Sequence, residues 1–231
     1  MNDKYKTREI KDPQSEGTLG NVYLAPGRKG RAKGSYRFIG QGDSYIELPN
    51  NGGLDVEHSI TILCWMYPEN IHGLIFKYNT SDPSGIHTRM ESGKLLAEFI
   101  NRNRQCTKLI SDQPLPLNQW HHVGSSYDQK TGMASLWLNG QLIVQQNIWL
   151  NKEEVMKENI GHGMHLATQD NVRLGATGDR GPYFVGRITT MEIYNVALSR
   201  KQIETIGKGS QSNFNFEITV ILQLILKSKS K

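Results

Sequence analysis

One stretch of alternating residues, bounded by turn chemistry, narrows the fold of this chain more than any other feature. Trp120-His121-His122-Val123-Gly124-Ser125-Ser126-Tyr127-Asp128 is followed by the polar turn Gln129-Lys130-Thr131-Gly132 and then by Met133-Ala134-Ser135-Leu136-Trp137-Leu138. Asn139-Gly140 marks a second turn, which leads into Gln141-Leu142-Ile143-Val144. Period-two segments joined by such turns predict an antiparallel meander.

The same rhythm runs through much of the chain. Residues 1–34 are polar and turn-rich, and extended structure begins clearly at Ser35-Tyr36-Arg37-Phe38-Ile39. Ser44-Tyr45-Ile46-Glu47-Leu48 follows a turn and ends at the loop Pro49-Asn50-Asn51-Gly52-Gly53. Ser59 to Tyr67 forms the most apolar strand, with Ile60, Ile62, Cys64 and Met66 on one face and Leu63, Trp65 and Tyr67 on the other. Apolar residues on both faces predict a central strand covered on both sides. Further strands are expected at 74–78, 86–90, 95–100, 107–111, 172–174 and 183–194, the last with a bend or bulge at Gly186. Ser199-Arg200-Lys201-Gln202 is a capping-box pattern, so a short helix is predicted near residues 199–206. Many short strands and one helix give an all-β class, a two-sheet antiparallel β-sandwich. A single domain is expected over residues 8–206. Residues 149–163 interrupt it as a charged, helix-favouring insert, and the tail 207–231 is placed outside it.

With 231 residues, the chain can bury a real core without metal or many disulfides. A mean hydropathy of −0.52 fits a soluble globular protein. No apolar run reaches the roughly 20 residues that span a bilayer, so no membrane span is expected. The hydrophilic first residues show no signal peptide, which leaves either an intracellular protein or, as the preferred expectation, a fragment or mis-started form of a secreted one.

The net charge of +5 is unevenly placed. Lys227, Lys229 and Lys231 lie in the tail, while Arg28, Lys29, Arg31, Lys33 and Arg37 form a cluster with no acidic residue between Glu16 and Asp43. Such a patch attracts sulfated glycans, acidic matrix or nucleic acid, and its plain alternative is a solvated loop. Gly27-Arg28-Lys29-Gly30-Arg31-Ala32 has a spacing found in heparin-binding peptides, with Arg102, Arg104 and Lys108 as candidates to extend it. The two cysteines, Cys64 and Cys106, do not suit a zinc site and leave open one disulfide or two free thiols. Asn79-Thr80-Ser81 is an N-glycosylation sequon with Asn79 as its acceptor.

Catalytic patterns are missing. Sandwich-fold glucanases need two carboxylates on one strand face, yet Glu47 and Glu98 stand isolated, and the adjacent pair Glu153 and Glu154 would face opposite ways on a strand. His121 and His122 are also adjacent, and both are expected to serve strand packing. No nucleophile elbow, phosphate loop or dinucleotide fingerprint occurs. Nucleic acid is not expected as a partner, since no reading motif accompanies the basic patch and the aromatics are assigned to the core.

Several motifs together carry a resemblance. Trp120 to Asp128 reads W-x-x-V-x-x-x-Y-D, Leu136 to Gly140 reads L-x-L-N-G, Phe184 to Ile188 reads F-x-G-x-I, and Ala197-Leu198-Ser199 closes the set. With Ser44 to Pro49 and Ile60 to Pro68, they resemble the laminin G-like jelly rolls of the concanavalin A-like superfamily, in the pentraxin-like branch, over most of residues 8–206. The resemblance implies a jelly-roll sandwich, an extracellular location and a Cys64–Cys106 disulfide. It implies a non-catalytic binding or adhesion module whose partners are glycans or extracellular matrix proteins. A calcium-dependent pentraxin-like lectin is the alternative, with Asp82 and Asp179 in the matching loops. Calcium takes six to eight oxygens, so two carboxylates make a poor double site. A glycan-cleaving enzyme is the remaining alternative, without paired carboxylates to support it.

Overall fold

The computed structural model describes residues 17–78, 85–148, 164–176, 181–208 and 220–222. They form β1 (Thr18–Leu19), β2 (Val22–Ala25), β3 (Ser35–Ile39), β4 (Ile46–Leu48), β5 (Ile60–Pro68), β6 (Gly73–Tyr78), β7 (His87–Glu91) and β8 (Lys94–Ile100). β9 (Cys106–Ile110), β10 (His121–Asp128), β11 (Met133–Leu138), β12 (Gln141–Asn147), β13 (Val172–Gly175) and β14 (Val185–Tyr194) follow. Helix α1 (Arg200–Gly207) and β15 (Val220–Leu222) complete the order. A seven-stranded sheet runs β1-β4-β13-β6-β7-β8-β9, and an eight-stranded sheet runs β12-β11-β10-β5-β14-β3-β2 with β15 added on β14. All the pairings are antiparallel, and the two sheets pack as an all-β sandwich of jelly-roll type.

The predicted meander forms β10, β11 and β12, with Asn139 and Gly140 in the left-handed conformations (φ 51° and 79°) that such a turn requires. β5 lies between β10 and β14, and its alternation divides two environments. Ile60, Ile62, Cys64 and Met66 enter the core between the sheets, packing with residues such as Phe76, Phe99 and Tyr127. Leu63 faces outward into a second, smaller cluster with Trp137, Tyr194, Leu198 and Ile203, the last from α1. The helix starts at the predicted capping box, in which Ser199 N–H donates to Gln202 Oε1 at 2.6 Å.

Four expectations change. The cysteines are free: Cys64 is buried in the middle of the eight-stranded sheet, while Cys106 is exposed at the edge of the other sheet, its Sγ 3.8 Å from Glu98 Oε2. The expected disulfide is therefore not formed. The irregularity in β14 falls between Thr189 and Glu192, with Thr190 at φ 53°, rather than at Gly186. Gly186 answers a different need: a Cβ there would lie 2.2 Å from the Tyr67 carbonyl oxygen, so glycine lets β14 approach β5. β1 and β2 arise within a stretch expected to be turns. Finally, β15 belongs to the tail placed outside the domain, yet it pairs with Met191, Glu192 and Ile193 of β14, beyond the end of β3. The insert 149–163, the sequon residue Asn79 and the carboxylates Asp82 and Asp179 lie outside the described residues.

Candidate ligand-binding face

Where α1 does not cover it, the outer face of the eight-stranded sheet carries cations and aromatic rings in register. Tyr23 lies opposite Arg37, Arg37 opposite Arg187, and Arg187 opposite Tyr67. Trp120, just before β10, continues the row, its ring 5.6 Å from that of Tyr67. The next row sets Trp65 between His122 and Thr189. Two residues apart on one strand, the Trp65 and Tyr67 side chains stand about 7 Å apart on the same face.

Each of these two rings holds a guanidinium. Arg187 Cζ lies 3.8 Å from the Tyr67 ring centroid and 5.4 Å from that of Trp120, and Nη1 donates to the Pro26 carbonyl at 2.9 Å. Arg28 Cζ lies 3.1 Å from the Trp65 centroid. Such cation–ring contacts contribute about 0.5–1 kcal/mol when exposed and about 2 when desolvated. Arg28 reaches Trp65 because its chain doubles back sharply. Arg28–Gly30 is a single 3-10 turn in which Lys29 and Gly30 have φ of 56° and 72°. Gly27 and Gly34 pinch its base: a Cβ on Gly27 would lie 2.6 Å from the Gly34 backbone.

His122 packs beside Trp65, with ring centroids 4.9 Å apart. Burial, aided by the Arg28 charge, pushes its imidazole down to about 4, so the ring is neutral near pH 7. Its Nδ1 faces the end of α1, where a Cβ on Gly207 would approach it to 3.0 Å. His122 Nδ1 and Arg187 Nε are buried without a hydrogen-bond partner. Burial lowers the Arg28 guanidinium as well, although arginine stays protonated in proteins.

The five predicted basic residues have different surroundings. Arg28 lies on Trp65, while Lys29, Arg31 and Lys33 are exposed in the turn. Arg37 makes a two-pronged bond to Glu69, at 3.1 and 2.6 Å. The proposed extension separates from them. Arg102 binds Asp55 at 2.9 and 3.0 Å and Glu57 at 3.3 Å at a loop end, and Lys108 binds Glu91 at 3.0 Å on the other sheet. Arg104 is exposed, with φ 67°. Trp65, Tyr67, Trp120 and Arg187 were not expected here. The assignment of aromatics to the core is corrected for these three rings, which are half-buried on the outer face. The alternation of Trp65 and Tyr67 against Cys64 was the available signal.

Several carboxylates elsewhere are engaged. At the loop end, His165 Nδ1 lies 2.6 Å from Glu57 Oε1, the main cause holding that carboxyl below its ordinary range, and Thr168 donates to Asp55 at 2.8 Å. Glu47 and Glu98 share the outer face of the seven-stranded sheet but are separated by the strands β13, β6 and β7. Four strand spacings put them about 19 Å apart. Two carboxylates that flank a glycosidic bond stand roughly 5–10 Å apart. Among the described residues, no group of three or more His, Cys, Asp or Glu is arranged to hold a metal ion. Nor is any described helix long and apolar enough to cross a membrane.

Residues 40–204 match the laminin G-type family described as the Concanavalin A-like lectin/glucanases superfamily. The chain belongs to this superfamily. It is 26% identical over 136 residues to the pentraxin-related protein PTX3 of Mus musculus, covering 58% of this chain and 34% of that protein. It is 22% identical over 144 residues to the pentraxin fusion protein of Xenopus laevis, covering 62% and 32%. The chain thus spans about a third of the curated relatives it matches. Among solved structures, the binding domain of Paraclostridial Mosquitocidal Protein 1 is similar in fold at a TM-score of 0.67 and 18% identity, covering 87% of this chain and 48% of that one. The botulinum neurotoxin serotype D ligand binding domain, solved in complex with N-acetylneuraminic acid, is similar at a TM-score of 0.63 and 18% identity, covering 84% and 47%.

Proposed function

We propose that this protein is a non-catalytic, extracellular carbohydrate-binding module that takes acidic glycans on the outer face of its eight-stranded sheet. The observation that carries this reading is the register of Tyr23, Arg37, Arg187, Tyr67 and Trp120, with Arg28 on Trp65 beside it. Aromatic faces suit the C–H faces of sugar rings, and guanidinium groups bind carboxylates and sulfates through charge-assisted pairs. Lys29, Arg31 and Lys33 add a positive field that draws polyanions to the same face. The pentraxin relatives support a module of this kind, as does the neurotoxin domain solved with an acidic sugar. Matrix or cell-surface glycans are the expected partners.

The test is chromatography of the full chain on immobilised heparin. The parent should elute well above physiological salt. A variant with Arg28, Lys29, Arg31 and Lys33 changed to Ala should elute much earlier, and Trp120→Ala should also elute earlier although its charge is unchanged. Elution of all three at the same low salt, with melting temperatures intact, overturns the reading. A loss confined to the charge variant leaves only a solvated basic loop and overturns the ring-and-cation face.

A further inference from the structure

We infer that Arg28 is a built-in cover for a sugar-stacking subsite on Trp65, and that it opens for acidic rings and stays shut against neutral ones. The guanidinium carbon is 3.1 Å from the ring centroid, so it fills the van der Waals layer that any stacked ligand would need. Its hold is weak in kind. Arg37, Arg102 and Arg173 each bind a carboxylate, whereas among the described residues the Arg28 guanidinium has the ring contact and no carboxylate partner. Its backbone is equally free of the core, since the 3-10 turn contains no buried residue. Arg187 differs in this respect. It is tied to the Pro26 carbonyl, its Nε is buried, and it sits at the corner of two rings, so it is fixed in the sheet.

The selection follows from these differences. A carboxylate or sulfate on a sugar offers Arg28 a charge-assisted, two-pronged partner better than the ring, so the side chain turns to the anion and the sugar takes its place on Trp65. A neutral sugar offers no such partner and must displace a cation from an aromatic face without compensation. The sides of the subsite are firm, because buried His122 and Thr189 flank the indole on the neighbouring strands. The selectivity rests on the acidic-glycan reading above, but the cover itself does not.

The experiment uses the full chain, Arg28→Ala, Trp65→Phe and the double variant, each checked for an unchanged melt. Acrylamide quenching of tryptophan fluorescence reads the cover without any ligand. Arg28→Ala should raise the quenchable fraction, and the rise should vanish in the double variant. Titrations with a heparin-derived oligosaccharide and a neutral cello-oligosaccharide read the selection. Arg28→Ala should bind the acidic probe roughly fivefold more weakly, the loss of one charged contact. The same variant should gain binding to the neutral probe that the parent lacks. Unchanged quenching overturns the cover. A rise in quenching without a gain for the neutral probe overturns the selection. A parent that binds neither probe, with the quenching rise intact, overturns the glycan reading while the cover stands.

Discussion

On the outer face of the seven-stranded sheet, one row across the strands reads Glu47, Arg173, Lys77, His87, Glu98, Lys108; on the eight-stranded sheet, one row reads Tyr23, Arg37, Arg187, Tyr67, Trp120. In the first row the carboxylates have cations. Arg173 Nη2 is 2.7 Å from Glu47, and Glu98 lies 3.1 Å from His87 Nε2 and 3.4 Å from Arg89. In the second row Arg37 alone meets a carboxylate, while Arg187, like Arg28 beside it, rests on rings. Paired charges at a surface are screened and have little left to offer a ligand. Cations held on rings instead of carboxylates keep their charge available to an anionic ligand.

The largest effect tests how far the eight-stranded face is open at all. Leu63 lies on that face but under α1, fully buried with Trp137, Tyr194, Leu198 and Ile203. Leu63→Ala should cost about 2–5 kcal/mol of stability, as buried leucine truncations do, measured by urea denaturation. A cost near zero would mean that the helix does not seal its half, and the face would be one continuous platform.

The next effect reads two buried groups of the eight-stranded sheet by pH. On β14, burial pushes the Glu192 carboxyl up from 4.5 to about 7, opposed by its hydrogen bond from Tyr194. A raised carboxyl favours the fold fully below pH 4.5, and this contribution is lost as pH climbs through about 7. His122, held down from 6.5 to about 4 by burial, runs the other way: its contribution is complete above pH 6.5 and is lost as pH falls through about 4. The groups around His122 are Arg28 on the turn, Trp65 on β5, Thr189 on β14 and the Gly207 end of α1. Glu192→Gln should therefore stabilise by on the order of 2 kcal/mol at pH 8, discounted for the carboxyl's residual exposure, and by almost nothing at pH 4.5. Equal stabilisation in urea melts at both pH values would refute the buried carboxyl.

The smallest effect belongs to the paired face. The Glu98 carboxyl is held below its ordinary range first by the His87 ring, whose Nε2 lies 3.1 Å away, with Arg89 and Lys108 contributing charge. A lowered carboxyl stabilises above its unfolded value near 4.5, and that contribution fades as pH falls below it. Glu98→Gln should cost about 1 kcal/mol at pH 7, and heparin elution should stay where it is. A large shift in elution would place the ligand on the wrong sheet and break the contrast between the faces.

The sandwich was legible where local signals agree. The meander, the central place of β5 and the capped helix follow from alternation, turn residues and Ser199 with Gln202. β1 and β2 were hidden because two and four residues with exposed polar neighbours leave almost no period to read. The bulge at Thr190 was hidden too, because it lies where β14 changes partners: pairing with β3 ends at Ile188, and β15 pairs from Met191 on. For the site, alternation grouped Trp65 with Tyr67 but could not tell which half of that face the helix would leave bare. Arg187 reaches Tyr67 from 120 positions along the chain, through strand register that composition does not reveal. The cysteine pairing came from resemblance alone, and the sheet order puts the two residues on different layers.

The pinch between Gly27 and Gly34 gives the molecule a division of labour. The loop they close contributes nothing to the sandwich interior, so its remaining letters can be rewritten while the scaffold keeps its melting point. Any side chain at either glycine would meet the facing backbone and force this loop, and with it Arg28, to shift.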